Sequence, residues 1–379
     1  MFRKNNSVIV ALTIAALLLV ACGGGGTTTV EVTRLVEVTR EVQVAGTPET
    51  QQVQVPVTFA EAGDTLQTVQ ARGKVICGGN ASVPGFGYLD PDTQQYAGFD
   101  IDFCKAIAAA VFDDPAAHEV VATTGQSRFP ALQSGEVDVL IRNTTWTVSR
   151  DTSLGFDFGP TTFYDGQGMM VRKDSGIAKL EDLAGGTVCV QQGTTTEKNL
   201  ADVMRALNVD YEPLVLADAQ ATREAYDEGR CDGFTTDKSG LVSQQILLQE
   251  PSAHVILNET MSKEPLGPLW RHGDNNWGDV ITWVVYCTVQ AEELGIDSTN
   301  VDEMLGSDDP VVLNTLGVEG DLGLALGLTA DFCARTIKHV GNYGEIYDRN
   351  LGPDTPFNLP RALNSLWIDG GLQYSPPFR

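Results

Sequence analysis

Two short segments of the chain share one pattern, and each leads to a polar residue suited to binding a ligand. Residues 131–138 read ALQSGEVD and residues 225–232 read AYDEGRCD. Both predict a helix that stops at a glycine and feeds a strand. Five residues beyond each final aspartate stand Asn143 and Asp237, where the strands are expected to end. Because open α/β sheets bind ligands beyond the carboxyl ends of their strands, the pattern places both residues at one cleft between two facing sheets.

The segment 193–197, GTTTE, has the composition of a helix start that can bind an anion. It follows an apolar stretch at 187–191 that predicts a strand, and the helix is expected to run through Leu207. Thr194 and Glu197 have the spacing of a capping box. A helix start presents free N–H groups and the positive end of its dipole to an anion. An ordinary capped helix explains the same residues, so the pattern alone leaves both interpretations open.

Strands and helices alternate along most of the chain. Residues 75–77 predict a strand, and after a turn-rich stretch Asp100 is expected to cap a helix that ends near Phe112. A second helix is expected at 128–133 and a strand at 137–141. This alternation predicts an α/β fold with a mostly parallel sheet, and the chain is long enough to form two lobes.

Six of the seven cysteines fall into three sequence neighbourhoods. Disulfides persist in exported proteins, but six cysteines allow many connectivities. Pairing neighbours keeps each bridge inside one lobe, and this is the pairing that we predict. It joins Cys77 to Cys104, Cys189 to Cys231, and Cys287 to Cys333. We expect no metal site, because the chain has no Cys-x-x-Cys motif and none of its four histidines stands at ligand spacing to a cysteine.

The chain begins with the layout of a secretion signal. Basic Arg3 and Lys4 precede an apolar run at residues 8–20, which is shorter than the roughly 20 apolar residues of a membrane span. The run ends in LVAC, which resembles the bacterial lipobox. The resemblance implies that residues 1–21 are a lipoprotein signal peptide and that Cys22 becomes lipidated. A plain signal peptide is the alternative, although it leaves Cys22 unexplained.

Cys22 begins a segment, 22–64, in which residues 27–58 contain no plausible core. They carry a short repeat, VEVTR, at 30–34 and again at 36–40. We interpret this region as a flexible tether, and its alternating valines also allow an edge strand or a small self-pairing ribbon.

The formal net charge of −25 argues against nucleic acid or an anionic membrane surface as a partner. Both would require clusters of Lys and Arg that this chain lacks. The charge therefore excludes more partners than it identifies.

Nine motifs together carry a family resemblance. They stand at residues 98–103, 107–111, 131–147, 149–151, 164–168, 192–197, 263–268, 341–346 and 370–374. They resemble the family 3 solute-binding proteins, which are the polar amino-acid receptors of ABC importers, and within them the general L-amino-acid-binding branch. The resemblance extends from about residue 66 to the C terminus.

The resemblance implies a two-lobed, type II periplasmic-binding-protein-like α/β fold. Each lobe is then a mixed sheet flanked by helices, and two hinge strands join the lobes. The implied bounds are 66–168 plus 268–379 for lobe 1, 171–262 for lobe 2, and crossings near 169–172 and 263–267.

The resemblance also implies a site for the two charges of a free amino acid. Arg150 would clamp the carboxylate, since its planar fork makes two parallel charge-assisted bonds. Thr145 from lobe 1 and the backbone N–H groups of Thr194 and Thr195 from lobe 2 would grip the same carboxylate. A ligand held from both lobes favours closure.

The ammonium group would bind Asp237 and the backbone carbonyl of Asn143. This chain has Asn143 where many family members have glycine, and no counterpart of the usual stacking aromatic is clear. Ser82 and Phe86 are the residues expected to line the side-chain pocket. The departure favours a permissive pocket.

The implied function is that of a lipid-anchored monomer at the outer face of the cytoplasmic membrane or in the periplasm. It would bind free L-amino acids with broad specificity and deliver them to a permease, with no cofactor. Two alternatives remain. An exported enzyme on the same fold would need a nucleophile with an adjacent base, and no motif supplies one. A ligand-sensing ectodomain would need a route for the signal across the membrane.

Overall fold

The computed structural model describes residues 36–40, 51–55 and 63–379. Its strands are β1 (Val36–Arg40), β2 (Gln51–Val55), β3 (Val75–Gly79), β4 (Ser82–Val83), β5 (Gly87–Leu89), β6 (Tyr96–Ala97), β7 (His118–Ala122), β8 (Val139–Leu140), β9 (Phe156–Phe158), β10 (Phe163–Asp165), β11 (Gln167–Arg172), β12 (Thr187–Gln191), β13 (Glu212–Leu216), β14 (Gly233–Asp237), β15 (His254–Ile256), β16 (Glu264–Leu266) and β17 (Leu269–Arg271).

The helices are α1 (Thr65–Arg72), α2 (Phe99–Phe112), α3 (Arg128–Ser134), α4 (Thr195–Leu207), α5 (Ala219–Asp227), α6 (Lys238–Gln245), α7 (Asn275–Glu293), α8 (Val301–Met304), α9 (Pro310–Leu316), α10 (Leu322–Ala325), α11 (Phe332–Val340) and α12 (Tyr343–Leu351). The strand before α4 has the predicted bounds, 187–191, and helices α2 and α4 end as predicted at Phe112 and Leu207.

Two five-stranded mixed sheets form the framework of residues 63–379. The first has the order β7-β3-β8-β17-β9, with β3 parallel to β7 and β8. The second has the order β13-β12-β14-β11-β15, with β12 parallel to β13 and β14. In each sheet a strand that returns from the other half of the chain joins antiparallel, β17 in the first and β11 in the second. The predicted α/β architecture with two lobes is confirmed.

Strands β10 and β16 pair antiparallel in a short ribbon, and each belongs to one of the two chain segments that connect the sheets. The first sheet's β9 leads into β10 and then into β11 of the second sheet, and β15 returns through β16 to β17. The first crossing therefore lies at Phe163–Asp165. The expected position, 169–172, was wrong, because those residues pair on both sides inside the second sheet and Met169 to Val171 are fully buried. The second crossing, at Glu264–Leu266, falls within the expected range.

The three disulfides join the cysteines that we predicted. Cys77 of β3 bonds Cys104 of α2, and Cys287 of α7 bonds Cys333 of α11, so both bridges lie in the lobe of the first sheet. The third bridge joins Cys189 to Cys231 in the lobe of the second sheet. None of these three bridges joins one lobe to the other.

Helix α2 is the central helix of the first lobe and buries eleven of its fourteen residues. Its alanines let α11, α7 and β3 approach closely. Asp100 does not cap this helix as expected. The helix begins after Gly98, and Asp100 instead turns its buried carboxylate toward the backbone N–H of Asn143, 2.7 Å away. Burial raises the pKa of Asp100 to about 7.

Strands β1 and β2 lie within the predicted tether, pair antiparallel and belong to a unit separate from residues 63–379. This is the self-pairing ribbon that the alternating valines allow. Cys22 and the predicted signal peptide lie outside the described residues. In the part of the chain that the structure describes, no helix has the length and apolar character needed to cross a bilayer.

Candidate functional site

Arg150 lies in a π-helical turn between β8 and β9, and its side chain is buried. One guanidinium nitrogen, Nη1, donates to the backbone carbonyl of Thr145 at 2.7 Å, and the guanidinium lies 5.2 Å from the ring centre of Phe129. Burial lowers its pKa to about 10, which leaves it charged at neutral pH. None of the ion pairs among residues 63–379 includes Arg150. Glu264 and Asp237 favour its charged form from nearby, and an anion bound in the cleft would stabilise this desolvated cation further.

Thr145 and Thr195 meet across the cleft between the lobes. Their hydroxyl oxygens lie 3.2 Å apart, and both hydroxyls donate to Oε2 of Glu264 in β16. Thr145 belongs to the first lobe, Thr195 opens α4 in the second, and Glu264 belongs to the ribbon. The structure therefore brings two of the predicted carboxylate ligands together around a hinge carboxylate that the sequence interpretation missed. The lobes are closed in this arrangement.

The start of α4 has half of the predicted capping box. The Thr194 hydroxyl accepts a hydrogen bond from the N–H of Glu197 at 3.1 Å. The Glu197 carboxylate accepts from Gly193 instead of from Thr194. The first N–H groups of a helix have no partner within the helix, so those of Thr195 and Thr196 remain suited to an anion at the cleft.

Asp237 ends β14 and precedes α6, and its side chain is buried. Its oxygen Oδ1 has no hydrogen-bond partner among the described residues. Burial raises its pKa well above the usual range, and the nearby carboxylates of Asp165 and Glu264 raise it further. Arg128 and Arg150 oppose this effect. An acceptor that is buried and unused is the group that a ligand ammonium would satisfy.

The two aspartates that end the repeated pattern have structural roles. Asp232 accepts the backbone N–H of Thr187 at 2.8 Å, and Asp138 accepts that of Ile76 at 2.7 Å. Each copy of the pattern therefore leads to two polar residues with different roles. The aspartate just before the strand is structural, and the residue at or beyond the end of the strand lies at the cleft.

Asn143 has a φ of +32°, a conformation that asparagine tolerates better than most residues with a side chain. This conformation is also accessible to glycine, the residue that the family resemblance implies for many members at this position. Its N–H donates to Asp100, and its side-chain oxygen accepts from Asn80 at 3.2 Å. Neither bond uses its backbone carbonyl, which is the group that we assign to the ligand ammonium.

Ser82 and Phe86 have different positions. Ser82 lines a cavity of about 410 Å³ between the lobes, and its carbonyl accepts from Gln244 of α6 across the cleft at 2.8 Å. Phe86 packs edge-on against Phe163 and Phe99 in the core of the first lobe. Phe86 is not among the residues that line this cavity, because its ring points into the core.

Four charged residues near the cleft were not predicted. Arg128, Arg142 and Glu264 are buried, and Asp165 is half-buried. Asp165 stands directly opposite Glu264 in the hinge ribbon, and burial, opposed in part by hydrogen bonds from Ser239 and Gly166, raises its pKa to about 6. The sequence offered one sign of such a residue, because Arg142 directly follows the apolar residues 139–141.

Gly125 provides a test of lobe closure. A Cβ at this position would lie 2.4 Å from the backbone oxygen of Gln192 in the other lobe. We expect Gly125→Ala to hinder closure and to weaken the binding of every ligand by about tenfold or more. Calorimetry measures the affinity. As the control, Gly306→Ala adds a Cβ no closer than 3.5 Å to its nearest neighbour and should leave affinity unchanged. Equal affinities for both variants would contradict this view of closure.

Comparisons with known proteins agree with this geometry. The family model for bacterial extracellular solute-binding proteins, family 3, matches residues 75–297. A general L-amino acid-binding periplasmic protein of Rhizobium johnstonii is 51% identical over 322 residues, which cover 84% of this chain and 94% of that protein. A glutamate/glutamine/aspartate/asparagine-binding protein of Rhodobacter capsulatus is 49% identical over 324 residues, which cover 85% of this chain and 96% of that protein.

A solved structure is similar over the same part of the chain. It is an ABC transporter/periplasmic binding protein from Brucella ovis with glutathione bound, at 47% identity and a TM-score of 0.81. The match covers 84% of this chain and 100% of that one. The resemblance and the two-lobed fold that the motifs predicted are both confirmed.

Proposed function

Because the chain belongs to the bacterial extracellular solute-binding proteins of family 3, we propose that it binds free L-amino acids between its lobes and delivers them to the permease of an ABC importer. One observation carries the proposal. A buried guanidinium at Arg150, which belongs to none of the ion pairs within residues 63–379, lies near a buried, unused carboxylate oxygen at Asp237, since each charge shifts the pKa of the other. Their charges are complementary to the carboxylate and ammonium of a zwitterion.

The contacts around these two residues support a division of roles. Arg150, Thr145 and the start of α4 bind the ligand carboxylate, and Asp237 with the carbonyl of Asn143 binds the ammonium. Both lobes contribute to each charge, so ligand binding stabilises the closed form. The protein acts as a monomer in the periplasm or at the outer face of the cytoplasmic membrane.

The cavity and the names of the relatives support the proposal of broad specificity. A space of about 410 Å³ leaves room for side chains of different sizes. One relative is named for general L-amino acid binding and another for four acidic and amide amino acids. The similar Brucella ovis structure has glutathione bound, and its γ-glutamyl end also presents a free ammonium and carboxylate. Glutathione is therefore a second candidate ligand.

A thermal-shift panel of the twenty L-amino acids, their D-forms and glutathione tests the function. A ligand at a hundred times its dissociation constant stabilises the folded protein by about 2.7 kcal/mol, which such an assay detects. We expect several L-amino acids to raise the melting temperature and the D-forms to fail. A flat response to every free amino acid would refute the proposal.

The anchor is a separate prediction. We propose that Cys22 is lipidated after removal of residues 1–21, since it follows a short apolar run in a lipobox-like sequence. Mass spectrometry of membrane-extracted protein is expected to find a diacylated N-terminal Cys22. A Cys22→Ser variant should lose the modification and the membrane association. An intact Met1 or an unmodified Cys22 would show that the chain is not anchored in this way.

A further inference from the structure

Arg142 is a buried cation that the amino-acid site described above does not use. It follows β8 by two residues and its side chain is only 3% exposed. Its Nε donates to the backbone carbonyl of Thr123 at 3.0 Å. Within residues 63–379, none of the ion pairs includes Arg142. Burying a guanidinium is unfavourable unless its donors are satisfied, and the carboxylates near Arg142 form no direct ion pair with it.

The space beside Arg142 is the cavity of about 410 Å³ between the lobes. Thr123, Thr124 and Arg142 line it from the first lobe, and Asp218 and Gln220 line it from the second. Arg142 and Asp218 are the two charged residues of this lining. The cavity therefore presents hydrogen-bond donors from one lobe and a carboxylate from the other.

Asp218 is only partly available to a ligand. It is the N-cap of α5, and its Oδ1 accepts the N–H of Ala221 at 2.8 Å. The described hydrogen bonds do not use its other carboxylate oxygen. Burial lowers the pKa of Arg142 to about 10, and Asp100 and, more weakly, Asp218 favour its charged form. At neutral pH the cavity thus holds a guanidinium with free terminal nitrogens and a half-used carboxylate.

This cavity adjoins the site for the ligand's common groups. Asn80 lines the cavity, and its side-chain amide donates to Asn143, the residue next to Arg142. Ser82 also lines it and contacts the second lobe through Gln244. A side chain leaving an amino acid held at Arg150 and Asp237 has this space beside it.

We propose that Arg142 determines specificity by donating to a side-chain carboxylate or amide oxygen of the bound amino acid. The preferred class is then glutamate, glutamine, aspartate and asparagine, and side-chain cations are disfavoured by the like charge. Asp218 accepts from the amide nitrogen of glutamine or asparagine and repels a carboxylate, so it adjusts the balance between amides and acids. This inference rests on the proposed amino-acid site.

Calorimetry of Arg142→Met with glutamate, glutamine and alanine tests the inference. Methionine keeps an unbranched chain but removes every donor. We expect glutamate and glutamine to bind about 10- to 100-fold more weakly, the effect of losing a hydrogen bond to a charged group. Alanine, which does not reach the cavity, should stay within about threefold of its original affinity. Equal weakening of all three, or no weakening of any, would overturn the proposal.

Asp218→Asn tests the inference through a less buried residue and does not depend on the folding of Arg142→Met. Asparagine also caps helices well, so α5 should be preserved. Removing the carboxylate should raise the ratio of glutamate to glutamine affinity by about two- to fivefold. An unchanged ratio would contradict the assignment of this cavity. If the unmodified protein binds no amino acid, the proposed function itself fails, which is a distinct outcome from loss of selectivity alone.

Discussion

Replacing Arg150 with alanine is expected to lower the affinity for neutral, acidic and basic amino acids together. Once the lobes close, the ligand carboxylate leaves water, and without Arg150 it remains buried without a cation. Breaking a buried ion pair in this way costs roughly 3–5 kcal/mol. The affinity should fall by about two to four orders of magnitude. Calorimetry against alanine, glutamate and arginine measures the effect.

Two further variants show whether the effect belongs to the site. Arg150→Lys keeps the charge but loses the planar fork, so we expect an intermediate loss for all three ligands. Arg205→Ala removes an exposed arginine on α4 that pairs with Asp202, and it should leave the affinity unchanged. A loss confined to one ligand would mean that Arg150 contacts a side chain. The carboxylate would then have to bind elsewhere.

Local sequence patterns predicted the elements that position the site. The glycine stop after α3 and the repeated aspartates follow from turn chemistry and strand starts, which involve residues close in sequence. Neighbouring cysteines paired within lobes for the same reason. The placement of Arg150, Thr145 and Thr195 around one cleft required the family resemblance, because these residues come from different lobes.

Tertiary packing determined what the sequence could not predict. Aspartate is a residue type that often caps helices. In the folded chain, however, Asp100 accepts a hydrogen bond from the backbone N–H of Asn143, 43 residues away. Glu264 lies in a short hinge strand with no period to identify it, yet it accepts hydrogen bonds from both lobes. Phe86 is close in sequence to residues that line the pocket, but its side chain packs in the core of the first lobe. Each case depends on a contact that only the folded chain makes.

Asp237→Asn is expected to weaken ligand binding and to stabilise the unliganded protein. Asparagine keeps the shape of the side chain but cannot neutralise the ligand ammonium, so affinity should fall for all amino acids by about two to four orders of magnitude. Stability of the unliganded protein should change in the opposite direction. Burial and the carboxylates of Asp165 and Glu264 raise the pKa of Asp237 well above its usual range. At neutral pH its ionisation therefore opposes folding, and the substitution removes that penalty.

The pH dependence gives this prediction its sign. A carboxyl group with a raised pKa in the folded state contributes stability at low pH, and this contribution is lost as the pH rises through that pKa. Asp237→Asn should therefore melt at a higher temperature than the unmodified protein at neutral pH, with the difference shrinking as the pH falls.

Asp232→Asn is the matched control, because that exposed aspartate accepts only a backbone N–H at a strand start. It should preserve ligand affinity. A variant at Asp237 that binds amino acids normally would show that the ammonium lies elsewhere, and one that melts lower at neutral pH would show that its carboxylate is already satisfied within the chain.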